Sequence, residues 1–318
     1  MHPVRISLTL ILLPCCVAAA NPALTDEPIT PIPLTLQVNP QRAKIGAQLF
    51  RDVRLSGNNR VSCASCHDLA KGGADGRRYS PGLDGRNTEL NTPTVLNAAL
   101  NFRQFWNGRA NTLEAQIDMV LQNPVEMGSS WPDLLHKISL DGNYRQAFAN
   151  AYPDGINRAN IVNALASFER TLITPGSRFD RYLQGEQNAI SGREKTGYAK
   201  FKQYGCAACH QCVNVGGNMF QKFGIMGDYF AARGTPIPAD LGRALVTGKD
   251  SDRNVFKVPG LRNVELTAPY LHDGSAKTLE AAVEIMFQYQ LGRVASGDDK
   301  ETIVLFLKTL TGPGPAMP

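Results

Sequence analysis

Apolar residues are distributed along this chain in several distinct patterns. From Ile6 to Val17 they run almost unbroken behind one basic residue, Arg5, and the run ends at Ala18-Ala19-Ala20. That layout is a secretory signal, so residues 1–20 are predicted to be cleaved on export. A lipoprotein signal fits less well, because Pro14 stands where a small residue is expected before Cys15. No second apolar stretch of spanning length follows, so no membrane span is expected in the mature protein. Residues 21–40 are polar and punctuated by proline, which predicts an extended leader. From Gln41 to Asp52 the apolar positions Ile45, Leu49 and Val53 recur at helical spacing. Ser191 and Glu194 form a Ser-x-x-Glu capping box that opens a helix through Phe201. A short helix around Trp131–Lys137 carries His136 on its polar side. Alternating strand patterns are sparse, so the fold class is mostly α.

The same pattern occurs twice. Shifting the chain by 166 residues lays Pro93 on Pro259, Asn97 on Asn263 and Leu100 on Leu266, and Gly108 to Ala115 on Gly274 to Ala281. That is nine identities in 23 gapless positions, too many for coincidence. In each copy Thr-Leu-Glu-Ala begins a helix, with Thr112 or Thr278 as N-cap and a glutamate facing the positive helix end. Phe168-Glu-Arg-Thr-Leu172 is echoed by Phe306-Leu-Lys-Thr-Leu310, the predicted last helix of each copy. Two domains follow, 41–185 and 186–318, joined around Phe179–Ala189.

Cysteine usage gives the repeats their chemistry. Each contains a Cys-x-x-Cys-His string, Cys63–His67 and Cys206–His210. The spacing presents two thiols for thioether bonds to one porphyrin edge and an adjacent imidazole for its iron, the attachment site of a c-type haem. A four-ligand zinc site needs two such pairs close together, and these lie 143 residues apart. A thioredoxin-like pair belongs to a βαβ context and needs no following His. Two covalently bound haem c groups are therefore expected. Of seven cysteines, Cys15 and Cys16 leave with the signal, four attach haem, and Cys212 remains as an unpaired thiol or one with an intermolecular or redox role. Loss of Arg5 takes the formal charge from +5 to +4, too little to argue for nucleic acid.

The repeats differ where it matters. Leu279, Val283 and Met286 share one helical face, and a thioether at Met286 is suited to closing the sixth position of a haem iron. The matched residue in the first repeat is Val120, which ligates nothing. Met219 and Met226 follow His210 too closely to reach the opposite haem face, and Met119 points about 100° away from Val120 on its helix. Trp106 is matched by His272. The indole fits either core packing or a place between the haems; the imidazole fits a propionate contact or a turn cap, not an iron ligand.

At this point the chain resembles the bacterial di-haem cytochrome c peroxidases. The resemblance rests on both Cys-x-x-Cys-His strings, Asn91-Thr-Pro-Thr94, Phe105-Trp-Asn-Gly-Arg109, Gln122-Asn-Pro-Val-Glu-Met-Gly128, Ser167-Phe-Glu-Arg-Thr-Leu172, Phe179-Asp-Arg-Tyr-Leu183, Thr267-Ala-Pro-Tyr-Leu-His-Asp-Gly274 and the Met286 helix. It implies two tandem cytochrome c-like domains in a periplasmic homodimer. It also implies electrons from a reduced cytochrome c or a small copper protein (a cupredoxin), entering at the C-terminal haem and passing to an N-terminal haem that reduces hydrogen peroxide. By the same resemblance Gln116 and Glu126 lie on the distal side of the peroxidatic haem. Gln116 would orient peroxide and Glu126 would move its proton. A Ca²⁺ between the domains would fall on Asn91 with the carbonyls of Thr267 and Pro269. One departure stands out. Many members carry a His after the first haem motif that must leave before turnover, whereas residues 68–135 here contain none; the loop reads Arg78 to Gly85, with Tyr79 its one aromatic side chain. Reductive activation is therefore not expected. A plain di-haem electron carrier is disfavoured by Gln116 and Glu126. A di-haem enzyme that oxidises a partner protein closes its second haem with Tyr; here Met286 holds that position, with Tyr289 three residues on.

Overall fold

The computed structural model of the chain describes residues 27–315, so the predicted signal, residues 1–20, falls outside them. Helix α1 (Pro40–Leu49) starts where Asn39 accepts the backbone N–H groups of Gln41 and Arg42, at 3.0 and 3.2 Å, with proline at the first helical position. It stops at Leu49 rather than Asp52. Asp52 caps a separate turn by accepting from the Arg54 amide at 2.9 Å, and Val53 is left 39% exposed. After the single-turn α2 (Cys63–Cys66) come α3 (Leu113–Gln122), α4 (Trp131–Ser139), α5 (Gly142–Ala151) and α6 (Arg158–Glu169). The C-terminal half holds α7 (Arg178–Leu183), α8 (Gly192–Gln203), α9 (Tyr229–Arg233), α10 (Ala244–Thr247), α11 (Leu279–Ile285) and α12 (Gly297–Lys308). Its only regular pairing among the described residues is antiparallel, between β1 (Phe220–Lys222) and β2 (Val255–Lys257). The mostly helical fold read from the sequence is the fold observed.

The duplication is visible in the packing. In the first half α1 crosses α6 at Gly46, where a Cβ would sit 2.0 Å from the Ala164 carbonyl oxygen. In the second half α8 crosses α12 at Gly197, where a Cβ would sit 1.9 Å from that of Thr302. Behind each glycine lies a fully buried phenylalanine, Phe168 or Phe306, with its ring against Phe50 or Phe201 at 5.2 and 5.1 Å. Thr112 and Thr278 each cap their helix by accepting the N–H three residues on, both at 3.1 Å. Matched residues also share backbone strain: Asn97 and Asn263 both have φ 60°, and Phe105 and Leu271 have φ 66° and 72°. Such conformations are uncommon outside glycine, so their coincidence marks one motif used twice.

Two cores result. The first gathers Leu49, Phe50, Phe148 and Leu165, the second Tyr198, Phe201, Ile303 and Phe306. Phe179 and Leu183 pack in the second core, with Phe179 at 4.7 Å from Tyr198. Thus α7, which the sequence division at 185 assigns to the first domain, packs with the second. The described part of the predicted leader, residues 27–39, holds no helix or strand, and Ile29 is fully buried in the second core. The halves meet at Thr174, whose hydroxyl accepts the side-chain amides of both Asn97 and Asn263 at 2.9 Å.

Candidate functional site

Each Cys-x-x-Cys-His string is held so that its imidazole presents one nitrogen. In the first, Ser62 and Ser65 form a reciprocal cap around the turn, and Ala64 donates to the Phe50 carbonyl at 3.1 Å. His67 Nδ1 lies 3.1 Å from the Gly73 carbonyl, and His210 Nδ1 lies 3.3 Å from that of Val215. A carbonyl only accepts, so Nδ1 carries the proton and Nε2 keeps its lone pair, the arrangement of a metal-bound histidine. Burial reinforces this by disfavouring imidazolium at both rings, and pushes His210 down to about 4. The thiols respond oppositely: burial pushes Cys63 up to about 12, and Cys66 and Cys206 up to about 11. Redox Cys-x-x-Cys pairs depend on a lowered thiol, so these are poor candidates for disulfide exchange. Among the described residues no three His, Cys, Asp or Glu side chains are arranged to hold a metal ion.

A large cavity opens at the second string. Cys206, Cys209 and His210 line it, as do Leu279, Val283 and Met286 from the face of α11 and its continuation. That continuation is a π-helical turn, Met286–Leu291, which begins at the methionine itself. Met286 and His210 therefore line one cavity. Met226 is 60% exposed. Tyr289 packs edge-on to Tyr229 at 5.3 Å.

The duplication then locates the first site. Gln116 and Val120 of α3 correspond to Ala282 and Met286, and both of those line the second cavity. Four residues apart, Gln116 and Val120 share one face of α3. Val120 packs on the first core together with Cys63, so the position matched to Met286 is filled by a side chain with no donor. Glu126 follows in a turn that begins at Asn123. Burial raises its pKa, with Arg109 and Asn123 pulling it partly back, and its charge is felt at the Cys66 thiol. Arg109 is the residue at this site that sequence reading missed. Its sign gave no signal; only the fold brings it to Glu126.

The wall between the two sites carries the other residues singled out in the sequence. Trp106 Nε1 donates to the Asn91 carbonyl at 2.9 Å, and the Asn91 amide donates to the His272 carbonyl at 2.9 Å. Trp106 lies edge-on to His272 at 6.5 Å between ring centres. His272 is buried and tied through Nε2 to Asp240 at 2.8 Å, and Asp240 in turn pairs with Arg233. It caps no turn through that nitrogen; it is a fixed buried group. Asn91, Thr267 and Pro269 all line the same cavity, and Asn91 spends its Nδ2 on the Arg77 carbonyl at 3.0 Å. His136 is exposed on α4 as expected. Cys212 is exposed, with Asn218 Nδ2 3.3 Å from its sulfur.

A sequence profile of the di-haem cytochrome c peroxidases matches residues 40–188. The chain is 44% identical to the cytochrome c551 peroxidase of Nitrosomonas europaea over 98% of this chain and 92% of that one. It is 43% identical to the cytochrome c peroxidase Ccp of Escherichia coli K12 over 92% of this chain, which spans 62% of that longer relative. A MauG-like protein associated with microbial copper homeostasis has a similar fold, with TM-score 0.77 and 30% identity over 89% of this chain and 93% of that one.

The chain belongs to the di-haem cytochrome c peroxidase family. The residues present fit the groups that family implies. Both histidines offer an unprotonated Nε2, burial holds the Cys63, Cys66 and Cys206 thiols neutral, and the second cavity has a thioether in its lining. Among the described residues no helix is long and apolar enough to cross a membrane.

Proposed function

We propose that the protein is an exported, periplasmic peroxidase that reduces hydrogen peroxide to two waters, using two electrons from a reduced cytochrome c or cupredoxin. The two haem c groups, attached at Cys63–His67 and Cys206–His210, would supply one-electron storage and the metal that activates peroxide. His67 and His210 would each hold an iron, and Met286 would be a further ligand to the second. The observation that carries the reading is the inequality of two otherwise matched sites: Met286 in one, Val120 with Gln116 and Glu126 in the other.

At the first site the side chains do acid–base work. Glu126, raised by burial, keeps a proton over a wider pH range than a free carboxyl and can also accept one from peroxide. Arg109 limits that rise and holds the carboxylate ready when the proton leaves. Gln116 has both donor and acceptor ends with which to orient the peroxide oxygens. Trp106, bonded to Asn91 and facing His272, lies where electrons would cross between domains. The Asn91 side-chain oxygen and the Thr267 and Pro269 carbonyls are hard donors suited to Ca²⁺. A homodimer is the assembly we expect.

The resting first site needs no ligand to leave. Loop 81–87 folds back on itself through Pro81 and Asn87, and Leu83 donates its backbone N–H to the Val125 carbonyl at 2.9 Å. Arg86 clamps the Pro124 carbonyl. The loop is thus fastened to the segment bearing Glu126, and it contains no imidazole. The decisive experiment is peroxide-dependent oxidation of ferrocytochrome c. It should be rapid in the native protein and fall about 10²–10⁴-fold in Glu126→Gln with both haems still attached. Turnover undiminished in that variant would reduce the protein to an electron carrier with incidental reactivity.

A further inference from the structure

The cavity at the second haem motif has an unbalanced charge. Among its lining residues there is no aspartate or glutamate, but there are three cations, Lys222, Lys257 and Arg262. Two of these are accounted for. Arg262 is fully buried against Asp180 at 2.7 Å and also donates to the Val213 and Thr30 carbonyls. Lys222 is exposed to water. Lys257 is different: it is 8% exposed, and no carboxylate faces it among the described residues. An unpaired buried ammonium is costly, so it is retained where an anion arrives to meet it.

Its position is fixed from both sides. Lys257 ends β2 opposite Phe220 of β1, and its backbone N–H donates to the Trp106 carbonyl at 2.8 Å. The same residue thus ties the cavity wall to the inter-domain tryptophan and brings its side chain to the space lined by His210 and Met286. Burial pushes its ammonium down to about 8, and no protein charge offsets that.

We propose that Lys257 is the counter-ion for a propionate of the haem attached at Cys206–His210, and that this pairing keeps that haem at high potential. The inference rests on the di-haem reading. A haem brings two carboxylates into a cavity that has none, and a charge-assisted bond from Nζ, about 2.7–2.9 Å long, would satisfy the lysine. With the propionate neutralised, the ferric state loses a nearby negative charge, so reduction is favoured.

The test is a spectroelectrochemical titration of the purified holoprotein, with attachment of two haems first verified by mass. Lys257→Gln should lower the midpoint of the Met286-ligated haem by a shift equivalent to about a tenfold change in its electron equilibrium, about 59 mV for one electron. Lys257→Arg should hold the native value, and Lys222→Gln should move it less. An unchanged midpoint in Lys257→Gln, or an equal fall in Lys222→Gln, would overturn the proposal. If Lys257→Gln does not take up haem, a crystal structure of the native holoprotein decides the matter: Nζ within hydrogen-bond reach of a propionate supports it, and Nζ beyond about 4 Å from both overturns it. A native protein that carries no covalent haem would instead refute the di-haem reading.

Discussion

One half-buried and one buried glutamate in the first domain show how position decides what a carboxyl does. Glu126 has Arg109 near it and its charge reaches the Cys66 thiol, so in the proposed mechanism its raised pKa would serve proton transfer. Glu169 ends α6 in the interior, and burial pushes it up to about 8, with Arg170 only partly opposing. A carboxyl whose folded pKa exceeds its unfolded value favours folding at low pH, and that contribution drains away as pH rises from about 4.5 to about 8. Glu169→Gln should therefore raise the melting temperature relative to the native protein at pH 8 and not at pH 4. A uniform shift across that range would mean Glu169 does not titrate as buried. Arg109 and Lys257 belong to the same class of residue, charged side chains whose burial makes them chemically specific.

At the scale of elements, the helix crossings at Gly46 and Gly197 help set where each Cys-x-x-Cys-His string sits, because α8 leads directly into the second and α1 precedes the first across one short turn. Gly197→Val would drive side-chain atoms into the Thr302 backbone, and Phe306→Ala would empty a fully buried site at a cost of about 3–5 kcal/mol. Both should lower the urea midpoint of the C-terminal half before that of the first; a simultaneous loss of both halves would show that the two cores unfold as one. Elements whose ends are set locally were legible from sequence. The Ser191–Glu194 box, the Thr112 and Thr278 caps and the Met286 face rest on residues a few positions apart, and the structure has all of them. Chain-distant contacts were not legible. The allegiance of α7 depends on Phe179 meeting Tyr198 and Phe306. The end of α1 depends on Asp52 preferring Arg54 and Tyr144. The pairing of His272 with Asp240 spans 32 residues of irregular chain.

Across the whole molecule, the inter-domain wall joins what each half holds separately. Asn214 Nδ2 donates to Asn101 at 2.8 Å, Phe102 packs edge-on to Phe220 at 5.1 Å, and Arg78 donates to the Asp273 carbonyl at 2.9 Å. Trp106→Leu should leave both haem spectra intact yet slow electron passage between them in rapid-mixing measurements; an unaltered rate would remove Trp106 from the route. The fastened loop 81–87 makes a second prediction at this scale. The fully oxidised protein should turn over peroxide without a lag, and a lag abolished only by pre-reduction would mean that another side chain, Tyr79 being nearest in sequence, closes the first iron. The shared hydroxyl of Thr174 has a wider consequence. One linker residue satisfies a strained asparagine from each repeat, so neither half carries a complete set of its own bonds. Asn97 and Asn263 are both almost fully buried, and a half expressed without Thr174 would leave a buried Nδ2 with its bond unmade. The two halves descend from one pattern, but they are no longer portable: each is finished only by a residue that lies between them.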